Sequence, residues 1–156
     1  MFVKDFTEID IPAAAVLSLM KGQSLSVLKD CVHHASAVGA ELLLSVGIDV
    51  PPLDPMADGD IAISDIVESI TGFVIPIAVR DRNFPHLDFD LEFFAMGENV
   101  TRINLVAFYD VSPFLLSTPL EKRRMQSVAE SAARAFLACL STSLTTARER
   151  ETQRTS

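Results

Sequence analysis

Two segments in the second half of the chain alternate apolar and polar residues with a period of two. In residues 87–94, the odd positions are leucine or phenylalanine, whereas positions 88, 90 and 92 are acidic. In residues 101–111, positions 103, 105, 107 and 109 form an apolar face opposite Arg102, Asn104 and Asp110. Because successive side chains of a strand point to opposite faces, both segments predict strands of a sheet with one buried and one solvated face. Such a sheet requires a second layer of structure to cover its apolar face.

Further strands are predicted where β-forming residues lie between turn signals. They cover residues 2–11, 41–47, 61–68 and 72–82, in addition to 87–95 and 100–111. Short turns separate the last four segments, which predicts an antiparallel meander. Arg102 is expected to lie across from Asp90 or Glu92 on the solvated face. A loop rich in proline and aspartate is predicted at 49–60, and its residues 49–59 are a candidate lid.

The covering layer is predicted to be a long C-terminal helix over residues 119–147. Apolar residues from Met125 to Ser143 recur at spacings of three and four, as expected for a helix that lies on a sheet. Two short helices are predicted after the first strand, at 13–20 and 24–38, with Lys21-Gly22-Gln23 between them and Gly39 as a C-terminal cap. The sequence therefore predicts a single α+β domain over residues 1–147, followed by a frayed polar tail at 148–156.

The composition limits the classes of partner. A net charge of −8 and a pI near 4.7 argue against a nucleic-acid interface, which needs clustered basic residues. No apolar run reaches the roughly 18 residues that a membrane span needs. The mean hydropathy of +0.30 is nevertheless high, so the apolar surplus is expected in a large core, an apolar cavity or a dimer interface. Cys31 and Cys139 are interpreted as free thiols, and the N-terminus lacks a signal-peptide pattern, which together predict a cytoplasmic protein.

Three segments resemble motifs of one protein superfamily. Residues 84–92 are similar to an F-P-x-L-D-x-D-L-E stretch, and residues 101–105 followed by Tyr109 are similar to a T-x-L-x-L…Y strand. Residues 128–137 are similar to a V-A-E-x-x-x-x-x-F-L helix. These motifs are those of bacterial members of the START/SRPBCC superfamily, which includes birch-pollen-allergen-like proteins and small polyketide cyclases. The N-terminal half resembles the superfamily in layout, with an opening strand and a P-x-x-x-V helix start at residues 12–16.

The resemblance implies the helix-grip fold, in which a curved antiparallel sheet wraps around a long C-terminal helix, here with two short helices after the first strand. It also implies a space between sheet and helix for a small hydrophobic or amphipathic ligand. Leu17 stands where many members carry an aromatic residue, and Phe89 and Ala107 stand where small, glycine-like residues are expected. The bulk of Phe89 is expected to shrink the cavity. Because carriers, receptors and enzymes share this fold, the resemblance does not specify the chemistry.

No segment carries a recognised catalytic or metal-binding motif: a glycine-rich phosphate loop, H-E-x-x-H, C-x-x-C and G-x-S-x-G are all missing from the sequence. His33 and His34 are neighbours on a predicted helix, point about 100° apart, and lack a convincing third ligand, so no metal and no cofactor are predicted. His86 is interpreted as a turn residue. Tyr109 is expected on the inward face, with its hydroxyl satisfied in the core or aimed at a ligand, and Asp65 is a candidate inward polar group.

Three hypotheses for function follow. The first is non-enzymatic binding or transport of a small hydrophobic or amphipathic molecule between the sheet and the C-terminal helix. The predicted ligand-binding residues are Phe73, Ile75, Ile77, Phe89, Leu91, Phe93, Leu105, Tyr109, Met125 and Ala132. The second is an enzyme of the polyketide cyclase or aromatase kind, although few polar groups point inward and no catalytic residue is predicted. The third is a filled core with a homodimer or docking surface formed by Leu137, Leu140 and Leu144.

Overall fold

The computed structural model describes residues 1–49, 61–80, 86–110 and 118–155, with the backbone alone at 23–25 and 155. Within these residues two long helices accompany six strands. In chain order the elements are β1 (Phe2–Ile9), α1 (Ala13–Ser45), β2 (Ile61–Ile63), β3 (Val67–Glu68), β4 (Gly72–Val79), β5 (Leu87–Ala95), β6 (Thr101–Tyr109) and α2 (Pro119–Thr155). The candidate lid at 49–59 lies outside the described residues except for its first residue.

The described strands form one antiparallel sheet in the order β1-β6-β5-β4-β2, and β3 also pairs with β4. The antiparallel meander of β4, β5 and β6 confirms the prediction from their short connections. The segment predicted as one strand at 61–68 forms two shorter strands, β2 and β3, separated by residues 64–66. β1 joins the sheet beside β6, so the first strand of the chain lies next to the last.

The predicted alternation of burial is confirmed on both central strands. On β5, Phe89, Leu91 and Phe93 are buried, whereas Asp88 and Asp90 are exposed. On β6, positions 101, 103, 105, 107 and 109 are all buried. The sheet therefore has one inner face, and this face points towards the helices.

The helix α2 begins at Pro119, where Thr118 accepts a hydrogen bond from the Glu121 amide on its hydroxyl oxygen and caps the first turn. Its apolar stripe is buried at Met125, Val128 and Phe136. The helix was predicted to end near residue 147 and to be followed by a frayed tail, but it continues to Thr155. The chain is thus an α+β protein with an antiparallel sheet and a long C-terminal helix, as predicted.

The prediction of two short helices followed by a strand at 41–47 is wrong, because α1 is a single helix from Ala13 to Ser45. The sequence predicts a break between two helices at Gly22. This glycine lies in an exposed part of α1, where a glycine costs only about 1 kcal/mol relative to alanine. Gly39 is not a cap but an interior residue, and a Cβ placed on it would lie 3.7 Å from Cβ of Ala132. That distance is an ordinary van der Waals contact, so Gly39 lies directly against Ala132 of α2.

Two contacts show that α1 and α2 run antiparallel. Cys31 touches Cys139, whereas Gly39, eight residues later on α1, faces Ala132, seven residues earlier on α2. Because α1 packs along α2, the second apolar face of α2 is covered within the chain. Leu137, Leu140 and Leu144 are between 0% and 3% exposed, so they do not form the docking surface that the sequence suggested.

The expected pairing of Arg102 with Asp90 or Glu92 is also wrong. β6 lies between β5 and β1, and Arg102 turns to β1, where it donates hydrogen bonds of 2.9 and 3.1 Å to one carboxylate oxygen of Glu8. Its guanidinium also lies 4.4 Å above the ring of Phe6. In the described part of the chain, neither helix combines the length and apolarity needed to cross a bilayer.

Candidate ligand-binding cavity

A cavity of about 120 Å³ lies where the inner face of the sheet meets the two helices. One wall comes from β1, β5 and β6, the second from the C-terminal half of α1, and the third from the first half of α2. The lining residues are Val3, Val32, Ala35, Ser36, Gly39, Ala40, Leu43, Leu87, Phe89, Leu105, Ala107, Tyr109, Met125, Val128, Ala129, Ala132, Ala133 and Phe136.

The cavity is hollow because the helices present small side chains to it. α1 contributes alanine, serine and glycine at 35, 36, 39 and 40, and α2 contributes alanine at 129, 132 and 133. Larger side chains at these positions would project into the space between helix and sheet. The small residues of both helices therefore leave room between the helices and the sheet.

Phe89 bounds the cavity on the sheet side. Its ring meets that of Phe136 edge to face, with the centroids 5.3 Å apart, so this pair connects β5 with α2. The neighbour of Phe89 across the ladder is Ala107, and both line the cavity. The ring of Phe89 takes up part of the cavity, whereas the small side chain of Ala107 beside it leaves space open.

The cavity wall is almost entirely apolar. Only Ser36 and Tyr109 carry polar side-chain atoms among its 18 residues. The Tyr109 hydroxyl donates a 2.6 Å hydrogen bond to Oε1 of Gln126, and the amide nitrogen of Gln126 donates to the Phe2 carbonyl at 2.8 Å. Tyr109 is thus held by a network that leads away from the cavity.

Burial raises the pKa of Tyr109 to about 12, and the nearby charge of Glu130 adds to this effect. The phenol therefore stays protonated at neutral pH. Its proton is already committed to Gln126, so a ligand could use the phenol oxygen mainly as a hydrogen-bond acceptor.

The structure places five of the ten predicted ligand-binding residues at the cavity: Phe89, Leu105, Tyr109, Met125 and Ala132. The other five, which are Phe73, Ile75, Ile77, Leu91 and Phe93, are buried elsewhere in the core. Phe73 and Phe93 are neighbours across the β4–β5 ladder, and their rings stack with the centroids 4.3 Å apart. At this end of the β4–β5 ladder, the two rings fill the core.

The wall that α1 contributes is absent from the sequence-based prediction. Its residues 32, 35, 36, 39, 40 and 43 recur at spacings of three and four, which is the period of one helix face. The pattern runs through Gly39 without interruption, which is typical of a continuous helix. The prediction of a C-terminal cap at Gly39 concealed this continuity.

The other candidate polar residues lie away from the cavity. Asp65, His34 and His86 are exposed. Both ring nitrogens of His33 are buried without a hydrogen-bond partner in the described structure, yet His33 does not line the cavity. Within the described residues, no group of three or more histidine, cysteine, aspartate and glutamate side chains could hold a metal ion.

The acidic residues of β5 are on the solvated face, as predicted. Asp88 accepts a 2.7 Å hydrogen bond from Arg80 and is exposed, as is Asp90. Both lie at a larger depression of about 420 Å³ on the outer face, together with Phe2 and Phe108. This depression is open and partly polar, whereas the smaller inner cavity would remove more of a ligand's surface from water.

The structure is similar to the crystal structure of a conserved protein from Geobacillus kaustophilus. The two share 11% identity over 94% of this chain and 96% of that chain, with a TM-score of 0.53. The Zhui aromatase/cyclase from Streptomyces sp. R1128 is 12% identical over 92% and 93% of the two chains (TM-score 0.43), and TTHA0849 from Thermus thermophilus is 16% identical over 92% and 99% (TM-score 0.44).

No protein-family model and no curated protein matches the sequence. At these low identities the structural likeness concerns the fold and not the chemistry. The chain therefore has an α+β fold in which a long C-terminal helix packs against an antiparallel sheet, consistent with the helix-grip fold predicted from the sequence.

Proposed function

We propose that this protein binds a small, uncharged apolar molecule in the cavity between its sheet and its two helices, without catalysing a reaction. The observation that carries the proposal is the wall itself, in which 16 of 18 residues have no polar side-chain atom. A cavity of this kind does not hold ordered water well, because water needs two to four polar partners. Filling it with an apolar ligand would regain dispersion contacts that the wall atoms lack.

The cavity volume limits the size of the ligand. An engineered apolar cavity of roughly 150 Å³ in another protein accommodates benzene. The volume of about 120 Å³ found here supports a ligand, or a ligand segment, of one small ring or a short alkyl chain. Binding sites for drug-sized molecules are larger, roughly 300–1,000 Å³, so a polycyclic guest would require the walls to move.

The alternative of a cyclase or aromatase receives less support. Such chemistry requires a group that accepts or donates a proton near the substrate. Among the described wall residues, Tyr109 alone has a side chain that can lose a proton. Its raised pKa and its hydrogen bond to Gln126 both oppose proton transfer to a substrate at neutral pH.

Titration of the isotope-labelled protein with toluene, followed by amide NMR, tests the proposal. Saturable shifts are expected at residues of the cavity wall. Ala129→Leu places a larger side chain in the cavity and should abolish them. Ala138→Leu makes the same change at an exposed position of α2 and should leave toluene binding intact. If toluene, benzene and short-chain alcohols all fail to give saturable shifts in the wild type, the proposal is wrong.

A further inference from the structure

The two cysteines of the chain are in contact, although 108 residues separate them in sequence. Cys31 lies on α1 and Cys139 on α2, and their Sγ atoms are 3.1 Å apart. Both are free thiols. A disulfide bond is about 2.05 Å long, so the sulfur atoms need to approach by about 1 Å to form one.

The two thiols differ in their access to solvent. Cys31 is completely buried, whereas Cys139 is partly exposed. Burial raises the pKa of the Cys31 thiol well above its ordinary value, and the neighbouring Cys139 adds to the effect, so Cys31 stays protonated and does not react with a dissolved oxidant on its own. A reagent from solution therefore reaches Cys139 first, and Cys31 is placed to react with whatever forms there.

We propose that Cys31 and Cys139 are a redox pair, which a hydroperoxide converts to an intrachain disulfide and a small thiol restores. In the first step the Cys139 sulfur attacks the peroxide, forming a sulfenic acid and releasing water when the oxidant is hydrogen peroxide. In the second step the Cys31 sulfur attacks the Cys139 sulfur, and the hydroxyl leaves as a second water. Two thiols and one hydrogen peroxide thus give one disulfide and two waters.

The bridge would fix the spacing of α1 and α2 beside the cavity. Val32 follows Cys31 directly, and Phe136 precedes Cys139 by about one turn of α2; both line the cavity. The bridge would also close a long loop of chain, which restricts the unfolded state and raises the temperature of unfolding. The inference does not depend on ligand binding, because it rests on the contact of the sulfur atoms alone.

The test uses the intact wild-type chain, reduced and then exposed to hydrogen peroxide. The mass should fall by two hydrogen atoms, and both thiols should disappear from a titration under denaturing conditions. The product should migrate as a monomer without reductant, and dithiothreitol should restore both thiols. The unfolding temperature of the oxidised form should rise by about 10 °C.

Two variants serve as controls. Cys139→Ser should keep the Cys31 thiol reduced, because the remaining sulfur is buried. Cys31→Ser should allow Cys139 to proceed to sulfinic acid, since the resolving thiol is missing. The proposal is overturned if wild-type Cys139 becomes sulfinic acid while Cys31 stays free. Disulfide-linked dimers, or two intact thiols after peroxide treatment, would also overturn it.

Discussion

The two ends of β5 lie in very different surroundings, although they belong to the same strand and to the same core. Near its end, Phe93 stacks on Phe73 of β4 and is completely buried. Near its beginning, Phe89 borders the cavity together with Ala107 and Tyr109 of β6. We call the first region the filled half of the core and the second the hollow half.

The helices produce this difference, because the strand supplies a phenylalanine in both places. Lys21 of α1 forms a salt bridge of 3.3 Å with Glu68 of β3, which places the first third of α1 near the β3–β4 side of the sheet. That part of the helix buries large side chains, namely Val16, Leu19 and Met20. The later part of α1 carries Ala35, Ser36, Gly39 and Ala40 over the hollow half. The side chains that α1 buries are thus larger in its first third than over the cavity.

The largest expected effect is in the filled half. Phe93→Ala removes a buried ring that is stacked on Phe73, and it should lower the free energy of unfolding by about 3–5 kcal/mol. Urea denaturation monitored by circular dichroism measures this change. Phe6→Ala is the matched control, because Phe6 is exposed on the outer face, where its main contact is with Arg102. Its loss should cost about 1 kcal/mol or less. Equal costs for the two variants would contradict the assignment of a filled half.

A smaller effect is expected from Tyr109, the one ionisable residue among the described residues that line the hollow half. Its pKa is raised from 10.0 to about 12 in the folded protein, so the folded state disfavours the phenolate. The stability that this residue contributes is therefore complete below pH 10, and it falls as the pH rises towards 12, by on the order of 2 kcal/mol. Urea denaturation of the wild type and Tyr109→Phe from about pH 9 to about pH 12 measures this linkage.

The chain has no second tyrosine, which makes Tyr109→Phe a clean control. The variant should be slightly less stable at neutral pH, because Oε1 of Gln126 loses its donor, by about 1 kcal/mol. It should also lose stability less steeply than the wild type above pH 10. Parallel pH profiles for the two proteins would mean that the phenol ionises as freely as in the unfolded chain.

The same contrast explains what could be predicted from the sequence. The strands β5 and β6 were found with bounds close to those observed, because a period of two is visible whenever one face of a strand is dry. The same alternation places Leu105 and Phe93 on the buried face of the sheet, where both lie. Whether the space in front of them is filled depends on side chains of α1 and α2 that are distant in sequence, and the pattern of one strand contains no information about them.

The helix α1 shows why half of the predicted ligand-binding residues lie elsewhere. Gly22 and Gly39 were interpreted as helix ends, since glycine is common there. Each glycine costs about 1 kcal/mol relative to alanine inside a helix, and this cost is outweighed by packing along a helix of 33 residues. Because two short helices were predicted in place of α1, the cavity was expected between the sheet and α2 alone. Residues of β4 were therefore predicted to line the cavity. The redox pair was missed for the same reason, because its two helices were not known to be neighbours.

The smallest expected effect tests which residue limits the size of the ligand in the hollow half. Phe89→Leu replaces the ring that meets Phe136 at the cavity and should enlarge the space beside Ala107. Naphthalene, which has two fused rings, should then bind about tenfold more tightly than to the wild type, a difference of about 1.4 kcal/mol. Fluorescence titration with naphthalene measures the affinity. Phe73→Leu makes the same substitution in the filled half, outside the cavity wall. Because that ring has no part in the cavity, its replacement should leave naphthalene affinity unchanged. An equal gain in both variants would mean that loosening of the core, and not the position of Phe89, admits the larger ligand.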